Sequence, residues 1–433
     1  MVSCKACLAL RRPPTSIDQF VDSVDSHDWL ANPPLGSIVR QYVESMRSQR
    51  YTELTIRHYL SALAHFNHWA LSRPVAVADI GETAIREFIG LHLPVCACQK
   101  PCFRGRLEIA AALRRLLKLL KQLDETKSSV STSTPVSTEL LGFQHYLADM
   151  CGLAMSTCSY RLRIVRLFLD AHFGVDPVDL SLLSPQCVDD WIIGLTLRYR
   201  PSSLGVIRAS LRSYFRYRAL RGNPTESLSA ALPVLARCDE AKLIRTMTSA
   251  QLERFLRSFD LTQPTGLRDF AMARCLSDLG LRGQEVTQLT LDDIDWRAGT
   301  LTLRKTKGHR VRVLPLPVTT GTAVARYLRN GRPTTCNRRL FVRHVAPFDE
   351  PLGRHAAANA MNRAFARSGL GSQFAGTHVL RRTLATRLQR CGSSLKDIAD
   401  LLGHRELRTT ARYAQVDFER LRRIALPWAG RQL

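Results

Sequence analysis

The chain has 433 residues, and 62 Lys and Arg against 37 Asp and Glu give a net charge of +25. This length suggests about three domains. No apolar run is long enough to span a bilayer, and the N-terminus lacks the apolar stretch of a signal peptide. We therefore expect a cytoplasmic protein rather than a membrane or secreted one. The basic excess favours a polyanionic partner such as nucleic acid, with a merely basic soluble protein as the alternative.

The first third of the chain predicts an arm followed by a helical module. Residues 1–36 are rich in Pro, Asp and Ser without a clear period, which predicts a flexible N-terminal arm. Over residues 37–126 apolar residues recur at helical spacing, which predicts an extra N-terminal helical module of four helices. The polar stretch 127–138 has the composition of a linker.

Three of the twelve cysteines lie close together in this extra module, shortly after His92. They are Cys96, Cys98 and Cys102. A Cys-x-x-Cys pair occupies residues 4–7. These thiolates are weak candidates for a zinc site, because their spacing is not that of a standard zinc knuckle. Reduced thiols that bind no metal are the favoured interpretation.

Residues 139–235 predict a second helical module with a concentrated positive charge. Between residues 198 and 221 there are seven arginines and no acids. Like charges four residues apart share one face and destabilise a bare helix, whereas a phosphate backbone would offset their repulsion. We therefore predict a DNA-binding surface rather than a solvated basic face. Its residues are Arg198, Arg200, Arg208, Arg212, Arg216 and Arg218.

After a second linker, predicted at residues 236–247, a third domain extends over residues 248–433. Thr248 is suited to cap its first helix, predicted at residues 250–259. Residues 294–316 alternate apolar and polar side chains between turns, which predicts a small antiparallel sheet beside a helical body. The predicted fold class is thus mainly α with a small antiparallel β-sheet.

Four short motifs follow in order along this third domain. They are Gly-Leu-Arg282-Gly-Gln-Glu285, Lys-Thr-Lys307-Gly-His-Arg, His378-Val-Leu-Arg381 and Leu-Leu-Gly-His404, with Tyr413 nine residues further on. Each motif alone is weak, but their joint occurrence in this order resembles the tyrosine recombinase (phage integrase) family. The resemblance covers about residues 248–427. It extends more weakly to 139–235, which is similar to the helical, SAM-like core-binding domain of that family.

The resemblance implies that Arg282 and Arg381 bind the scissile phosphate. Guanidinium groups suit this task, because they are permanently charged and present a fork of donors. Tyr413 would be the nucleophile that forms a 3′-phosphotyrosyl link with DNA. A phenol with a reference pKa of about 10 needs a base or strong electrostatic help for this attack.

The remaining residues of the set have auxiliary roles in that family. Lys307, preferred over Lys305 because it precedes the glycine of a predicted turn, would protonate the leaving 5′ oxygen. His378 would act as a base or a hydrogen-bond donor, and His404 would donate to a phosphate oxygen. Glu285, three residues after Arg282, would orient that arginine or His378.

The implied function is site-specific recombination by an integrase, transposase or resolvase of a mobile element. No metal or other cofactor is expected to take part, since the phosphotyrosyl bond conserves the energy of the broken one. The expected partners are double-stranded DNA of the nucleoid and three further copies of the chain in a tetramer on DNA, with sister recombinases as further candidates. A protein that holds DNA sites together without cleavage and a type IB-like DNA-relaxing enzyme are the alternatives.

Overall fold

A computed structural model describes residues 17–22, 24, 27–72, 80–99, 102–127, 134–233, 245–304 and 311–404. The chain divides into two compact units, one formed by Met1–Thr126 with Leu243–Leu433 and the other by Lys127–Lys242. Within the described ranges, no helix is both long enough and apolar enough to cross a membrane.

All the regular secondary structure in the described parts of the N-terminal module is helical. Its helices are α1 Ile17–Asp22, α2 His27–Ala31, α3 Val39–Ser48, α4 Glu53–Leu71, α5 Glu82–Glu87 and α6 Arg106–Lys127, with a π-helical turn Phe88–His92 and a 3-10 turn Leu93–Val95 after α5. The structure differs here from the flexible arm predicted for residues 1–36, of which 1–16 lie outside the described residues. Phe20, Leu30 and Leu35 are buried in the module's core, so α1 and α2 belong to the folded module.

The second unit is a separate helical bundle with its own core. Its helices are α7 Pro135–His145, α8 Met155–His172, α9 Pro185–Thr196, α10 Pro201–Leu220 and α11 Glu226–Ala230, with a π-helical turn Tyr146–Met150 and a 3-10 turn Leu180–Leu182. Helix α7 begins inside the segment predicted as a linker. The side chain of Thr134 caps it, Pro135 occupies its first turn and Val136 is buried. The ordered unit therefore starts before residue 139.

The third domain combines helices with a three-stranded sheet. Its elements are α12 Ser249–Arg257, α13 Pro264–Asp278, α14 Gly283–Gln288, the 3-10 turn Leu291–Asp293, β1 Ile294–Asp295, β2 Thr300–Leu303, β3 Arg312–Pro315, α15 Val318–Asn330, α16 Ala356–Arg367, α17 His378–Arg390 and α18 Leu395–Leu402. The strands are antiparallel in the order β1-β2-β3, with Leu301 opposite Leu314. Thr248 forms a capping box with Gln251 at α12. The predicted mainly α fold with a small antiparallel sheet is confirmed.

The N-terminal module and the third domain belong to one unit and meet through polar side chains. Lys118 Nζ lies 2.6 Å from Glu350 Oε1. Arg50 stacks over the ring of Phe348 at 5.2 Å and lies 3.5 Å from Asp349 Oδ1. All four charged side chains are substantially solvent-accessible. Exposed ion pairs of this kind contribute little free energy, at most about 1 kcal/mol each.

Candidate active site

The C-terminal end of α18 is the point at which the predicted site residues meet. Gly403 ends this helix in the left-handed conformation, with φ of 63° and ψ of 49°. The backbone N–H of His404 donates to the carbonyl of Ala399 at 2.9 Å, which closes the helix end. A side chain at Gly403 would also crowd the guanidinium of Arg312, since its Cβ would lie 2.8 Å from that group. The Gly-His pair of the fourth motif thus fixes the backbone position from which the side chain of His404 extends.

Three arginines from three different elements donate to consecutive carbonyl oxygens at this helix end. Arg312 Nη1 donates to Leu401 O at 2.7 Å, Arg381 Nη2 donates to Leu402 O, and Arg282 Nη2 donates to Gly403 O at 3.3 Å. A helix leaves its last carbonyls without intrahelical partners, and these carry the negative end of its dipole. The end of α18 therefore gathers three positive groups in one place.

Glu285 holds two of these arginines together. Its side chain is buried and lies 2.7 Å from Arg282 Nη1 and 3.4 Å from Arg312 Nη2. The same carboxylate accepts the backbone N–H of Arg282 at 2.8 Å, at the start of α14. The expected role of orienting Arg282 fits these contacts. A buried carboxylate with two guanidinium partners also offsets part of the repulsion among the arginines.

Arg381 is buried on the first turns of α17. Its Nη1 donates to the carbonyl of Gly280, just before Arg282 in sequence. Gly280 has φ of 62°, and a Cβ there would lie 2.6 Å from a methyl group of Leu402. Only glycine meets both demands. The first motif therefore needs its glycine so that the chain can pass close to α17 and α18.

The two histidines lie in the electrostatic field of these arginines. Partial burial of its ring, with the guanidinium groups of Arg382, Arg381 and Arg282, lowers the pKa of His378. Burial, with Arg381, Arg282 and Arg312, lowers the pKa of His404 to about 4. Both imidazoles are therefore neutral at physiological pH when no phosphate is bound. A neutral imidazole can donate one hydrogen bond and accept another.

The structure thus brings together Arg282, Glu285, His378, Arg381 and His404. Lys307 and Tyr413 lie outside the residues that the structure describes, and their positions stay predictions. Sequence reasoning missed Arg312, although a signal was present. On β3, strict alternation places Arg312 on the same face as the buried Leu314, between the exposed Val311 and Val313.

The predicted DNA-binding arginines of the second unit fall into two groups. Arg198, Arg200, Arg212 and Arg216 are exposed. Arg218 instead lies 2.8 Å from Glu139 Oε2, and both side chains are largely buried.

Two of these arginines have partners inside the unit, and the binding of DNA by this set stays a prediction. Arg218 is partnered internally by an acid from α7, which the local sequence around α10 did not reveal. Arg208 is half-buried and donates to the carbonyl of Pro233. The aromatic residues interleaved with these arginines, Tyr214, Phe215 and Tyr217, belong to the core of the unit.

The candidate thiolates Cys96, Cys98 and Cys102 lie together in the N-terminal module, close to His65 and His92. These residues belong to elements other than those that carry the arginine cluster. The Cys-x-x-Cys pair of residues 4–7 lies outside the described residues.

Known proteins that are similar to this chain agree with the chemistry of this site. The model of the phage integrase family matches residues 245–420. Protein y4rA of Sinorhizobium fredii, a proposed integrase/recombinase, is 33% identical over 408 residues, which is 93% of this chain and 97% of that protein. The chain belongs to the tyrosine recombinase (phage integrase) family. As a tyrosine recombinase, it is an enzyme that breaks and rejoins DNA strands.

Two further proteins are similar to about two thirds of this tyrosine recombinase. Tyrosine recombinase XerD of Listeria innocua is 29% identical over 295 residues, which is 65% of this chain and 95% of that protein. The crystal structure of XerH site-specific recombinase bound to palindromic difH substrate, a post-cleavage complex, superposes with a TM-score of 0.52. It is 17% identical and covers 69% of this chain and 98% of that one, which supports a shared fold.

Proposed function

We propose that this tyrosine recombinase is a site-specific enzyme of a mobile element that cleaves DNA through Tyr413 and Lys307. The observation that carries the proposal is the meeting of Arg282, Arg381 and His404 at the end of α18. Donors fixed in advance around one point stabilise a developing negative charge without having to reorganise. The pentavalent phosphorane-like state of phosphoryl transfer carries such a charge on its non-bridging oxygens.

In the proposed first step, the phenolic oxygen of Tyr413 attacks the scissile phosphorus. The bond to the 5′ oxygen breaks, and that oxygen takes a proton from Lys307, which leaves a 3′-phosphotyrosyl link and a free 5′ hydroxyl. Arg282 and Arg381 bind the non-bridging oxygens while neutral His404 donates to one of them. His378 receives the phenol proton. In the reverse sense, a 5′ hydroxyl from another strand attacks the phosphotyrosine and releases Tyr413.

The proposed substrate is double-stranded DNA at specific recombination sites within the nucleoid. The exposed Arg198, Arg200, Arg212 and Arg216 of the second unit would bind its phosphate backbone, which supplies affinity without sequence readout. We further propose that strand exchange takes place in a tetramer of the chain on DNA. Relatives described as integrases or recombinases support the assignment to a mobile element.

A suicide duplex nicked close to the cleavage point tests the nucleophile. Binding selection with the Tyr413→Phe protein first recovers the duplex that the chain recognises. The wild-type chain should then form a covalent adduct on the 3′ phosphate, whereas Tyr413→Phe should bind the duplex and form none. An adduct in Tyr413→Phe would refute this nucleophile. Binding without an adduct in the wild type would favour a protein that holds sites together without cleavage.

The proposed general acid is tested separately with a substrate in which sulfur replaces the bridging 5′ oxygen. A thiolate leaves without needing a proton, so this substrate should restore cleavage by Lys307→Ala. It should not restore cleavage by Arg282→Ala, because the charge on the phosphate is still unbalanced. Lys305→Ala is the matched control and should cleave the ordinary substrate. Relaxation of supercoiled DNA without exchange between sites would favour a relaxing enzyme instead.

A further inference from the structure

Five side chains with metal-binding atoms lie together in the N-terminal module. They are His65, His92, Cys96, Cys98 and Cys102. His65 lies on α4 and is fully buried, His92 ends the π-helical turn, and the cysteines follow in a segment without regular structure. The ligand atoms of the first four all lie within 4.8 Å of one another.

Three of the six separations among these four atoms match the edges of a tetrahedron around zinc. The Nε2 atoms of His65 and His92 are 3.2 Å apart, and Cys96 Sγ is 3.3 Å from His65 Nε2. Cys98 Sγ is 3.5 Å from His92 Nε2. With bonds of about 2.0–2.1 Å to nitrogen and about 2.3 Å to sulfur, tetrahedral geometry places two nitrogens about 3.3 Å apart and a nitrogen and a sulfur about 3.6 Å apart.

Hydrogen bonds do not account for the crowding around His65. Its Nδ1 lies 2.7 Å from the carbonyl of Phe103, so Nδ1 carries the proton and Nε2 presents a single lone pair. Three atoms nevertheless converge on Nε2, namely His92 Nε2, Cys96 Sγ and Cys102 Sγ at 3.6 Å. One lone pair accepts one good donor, whereas a cation at the centre would bind several of these atoms at once. The bond to Phe103 is also the kind of second partner that orients a ligating histidine.

The local backbone is shaped to bring these groups together. At Phe88–His92 the backbone forms a π-helical turn instead of an α-helix, which places His92 beside α4. Such turns are rare in proteins as a whole, but many of those that occur lie at functional sites. The ring of Phe88 packs edge-on against His65 at 5.1 Å and stacks on His92 at 5.2 Å. Arg104 donates to the carbonyl of Cys98 at 3.4 Å and lies 3.5 Å from Cys102 Sγ. The positive charge of Arg104 would stabilise the thiolate form of these cysteines.

We propose that His65, His92, Cys96 and Cys98 bind one structural Zn²⁺, with Cys102 beside the site and outside the first coordination sphere. Thiolate and imidazole donors favour zinc over the hard cations Mg²⁺ and Ca²⁺. Four protein ligands leave no open position for a substrate, so the ion ties the irregular segment to α4 and takes no part in strand cleavage. This assignment differs in two ways from the interpretation of the sequence. That interpretation favours thiols that bind no metal, and its candidate ligands include Cys102 but not His65.

Metal analysis of the full-length, reduced chain tests the site. The wild type should contain one zinc ion per chain, and Cys98→Ser and His92→Gln should lose it. Cys102→Ser should keep it, as should Cys151→Ser, whose exposed thiol lies outside the cluster. Replacement by Co²⁺ should give the visible d–d bands of a tetrahedral ion and a thiolate charge-transfer band in the wild type. This second measurement decides the matter even where a variant fails to fold.

Three results would overturn the proposal. The first is a reduced wild-type chain that takes up no stoichiometric zinc and gives no tetrahedral cobalt spectrum. The second is loss of zinc in Cys102→Ser together with its retention in Cys98→Ser, which would show a different ligand set. The third is a disulfide among the three cysteines in the freshly isolated protein, found by mass spectrometry after alkylation.

Discussion

Arg282, Arg312 and Arg381 are fixed by carbonyl oxygens at one helix end before any DNA phosphate is present. Such fixing lowers the cost of ordering long side chains when the transition state forms. It also concentrates like charge, which the buried Glu285 and the negative end of α18 offset. At the scale of single residues, the site is therefore a balance between positive groups and the protein oxygens that hold them.

His404 makes this balance measurable through pH. Its pKa is about 4 in the folded chain and about 6.5 when unfolded, so the unfolded state binds more protons between these values. Protonation therefore favours the unfolded state as the pH falls from 6.5 to 4. Over this range the free energy of unfolding of the wild type should fall by roughly 2 kcal/mol, after allowance for solvent screening of the half-buried ring. Urea unfolding of the wild type and His404→Gln should reveal a difference that grows over this range. Parallel pH profiles would contradict the assignment.

Arg312 should act as a positioning residue for cleavage. In Arg312→Ala, Glu285 keeps one guanidinium partner and Leu401 O loses its donor, so Arg282 is held less firmly. We expect adduct formation at saturating DNA to fall about tenfold or more while DNA affinity changes little. Arg312→Lys should recover part of the rate of adduct formation, since lysine restores the positive charge but not the forked set of donors of a guanidinium group.

The control for this experiment is Arg304→Gln. Arg304 pairs with Asp293 at 3.2 Å, but its side chain is 65% exposed. This change should leave the cleavage rate unaltered. Equal losses in both variants would mean that net charge matters rather than the position of Arg312.

At the scale of elements, α10 combines two kinds of arginine on one helix. Arg212 and Arg216 face solvent. Changing each of them to Gln should leave the free energy of unfolding unaffected. It should lower the number of counterions released on DNA binding by about one for each phosphate that is no longer neutralised. The measurement is the slope of the logarithm of the binding constant against the logarithm of salt concentration. An unchanged slope in the double variant would exclude these residues from the DNA interface.

Arg218 on the same helix should behave differently. Its pair with Glu139 is nearly buried, at 12% and 11% side-chain exposure, and Tyr214 donates to the same carboxylate at 2.9 Å. Arg218→Gln should therefore destabilise the second unit by about 3 kcal/mol, because it leaves a buried charge without its partner. Urea unfolding checks this, and Arg218→Met with Glu139→Leu should recover most of the loss. A stable Arg218→Gln that binds DNA more weakly would return Arg218 to the interface.

Local sequence patterns predicted the elements better than the contacts between them. The alternation around Leu301 and Leu314 and the cap at Thr248 depend on neighbours in sequence, and the structure has both. The pair Arg218–Glu139 joins residues far apart in the chain. So does the approach of His65 to Cys96, because a histidine within an apolar helix face looks like an ordinary core residue until the fold brings ligands to it.

At the scale of the whole molecule, the second unit is an insertion between two parts of the first. Its core is built from its own helices, with Phe143, Phe168 and Phe215 fully buried. A unit with a separate hydrophobic core is expected to fold alone. The sequence placed its start at residue 139, by composition, whereas the first turn of α7 at Pro135–Ser137 already contributes to the fold.

A fragment of residues 127–242 should therefore unfold in one cooperative transition in urea, and a fragment of residues 139–242 should be less stable by about 2–4 kcal/mol. The shorter fragment lacks Val136, which is 1% exposed, and the cap at Thr134. A buried valine contributes about 1.5–3 kcal/mol and a cap about 1 kcal/mol. Val136→Ala in the longer fragment isolates the first contribution and should cost about 2 kcal/mol. Equal midpoints for the two fragments would restore the boundary at residue 139, because the first turn of α7 would then add nothing to the core.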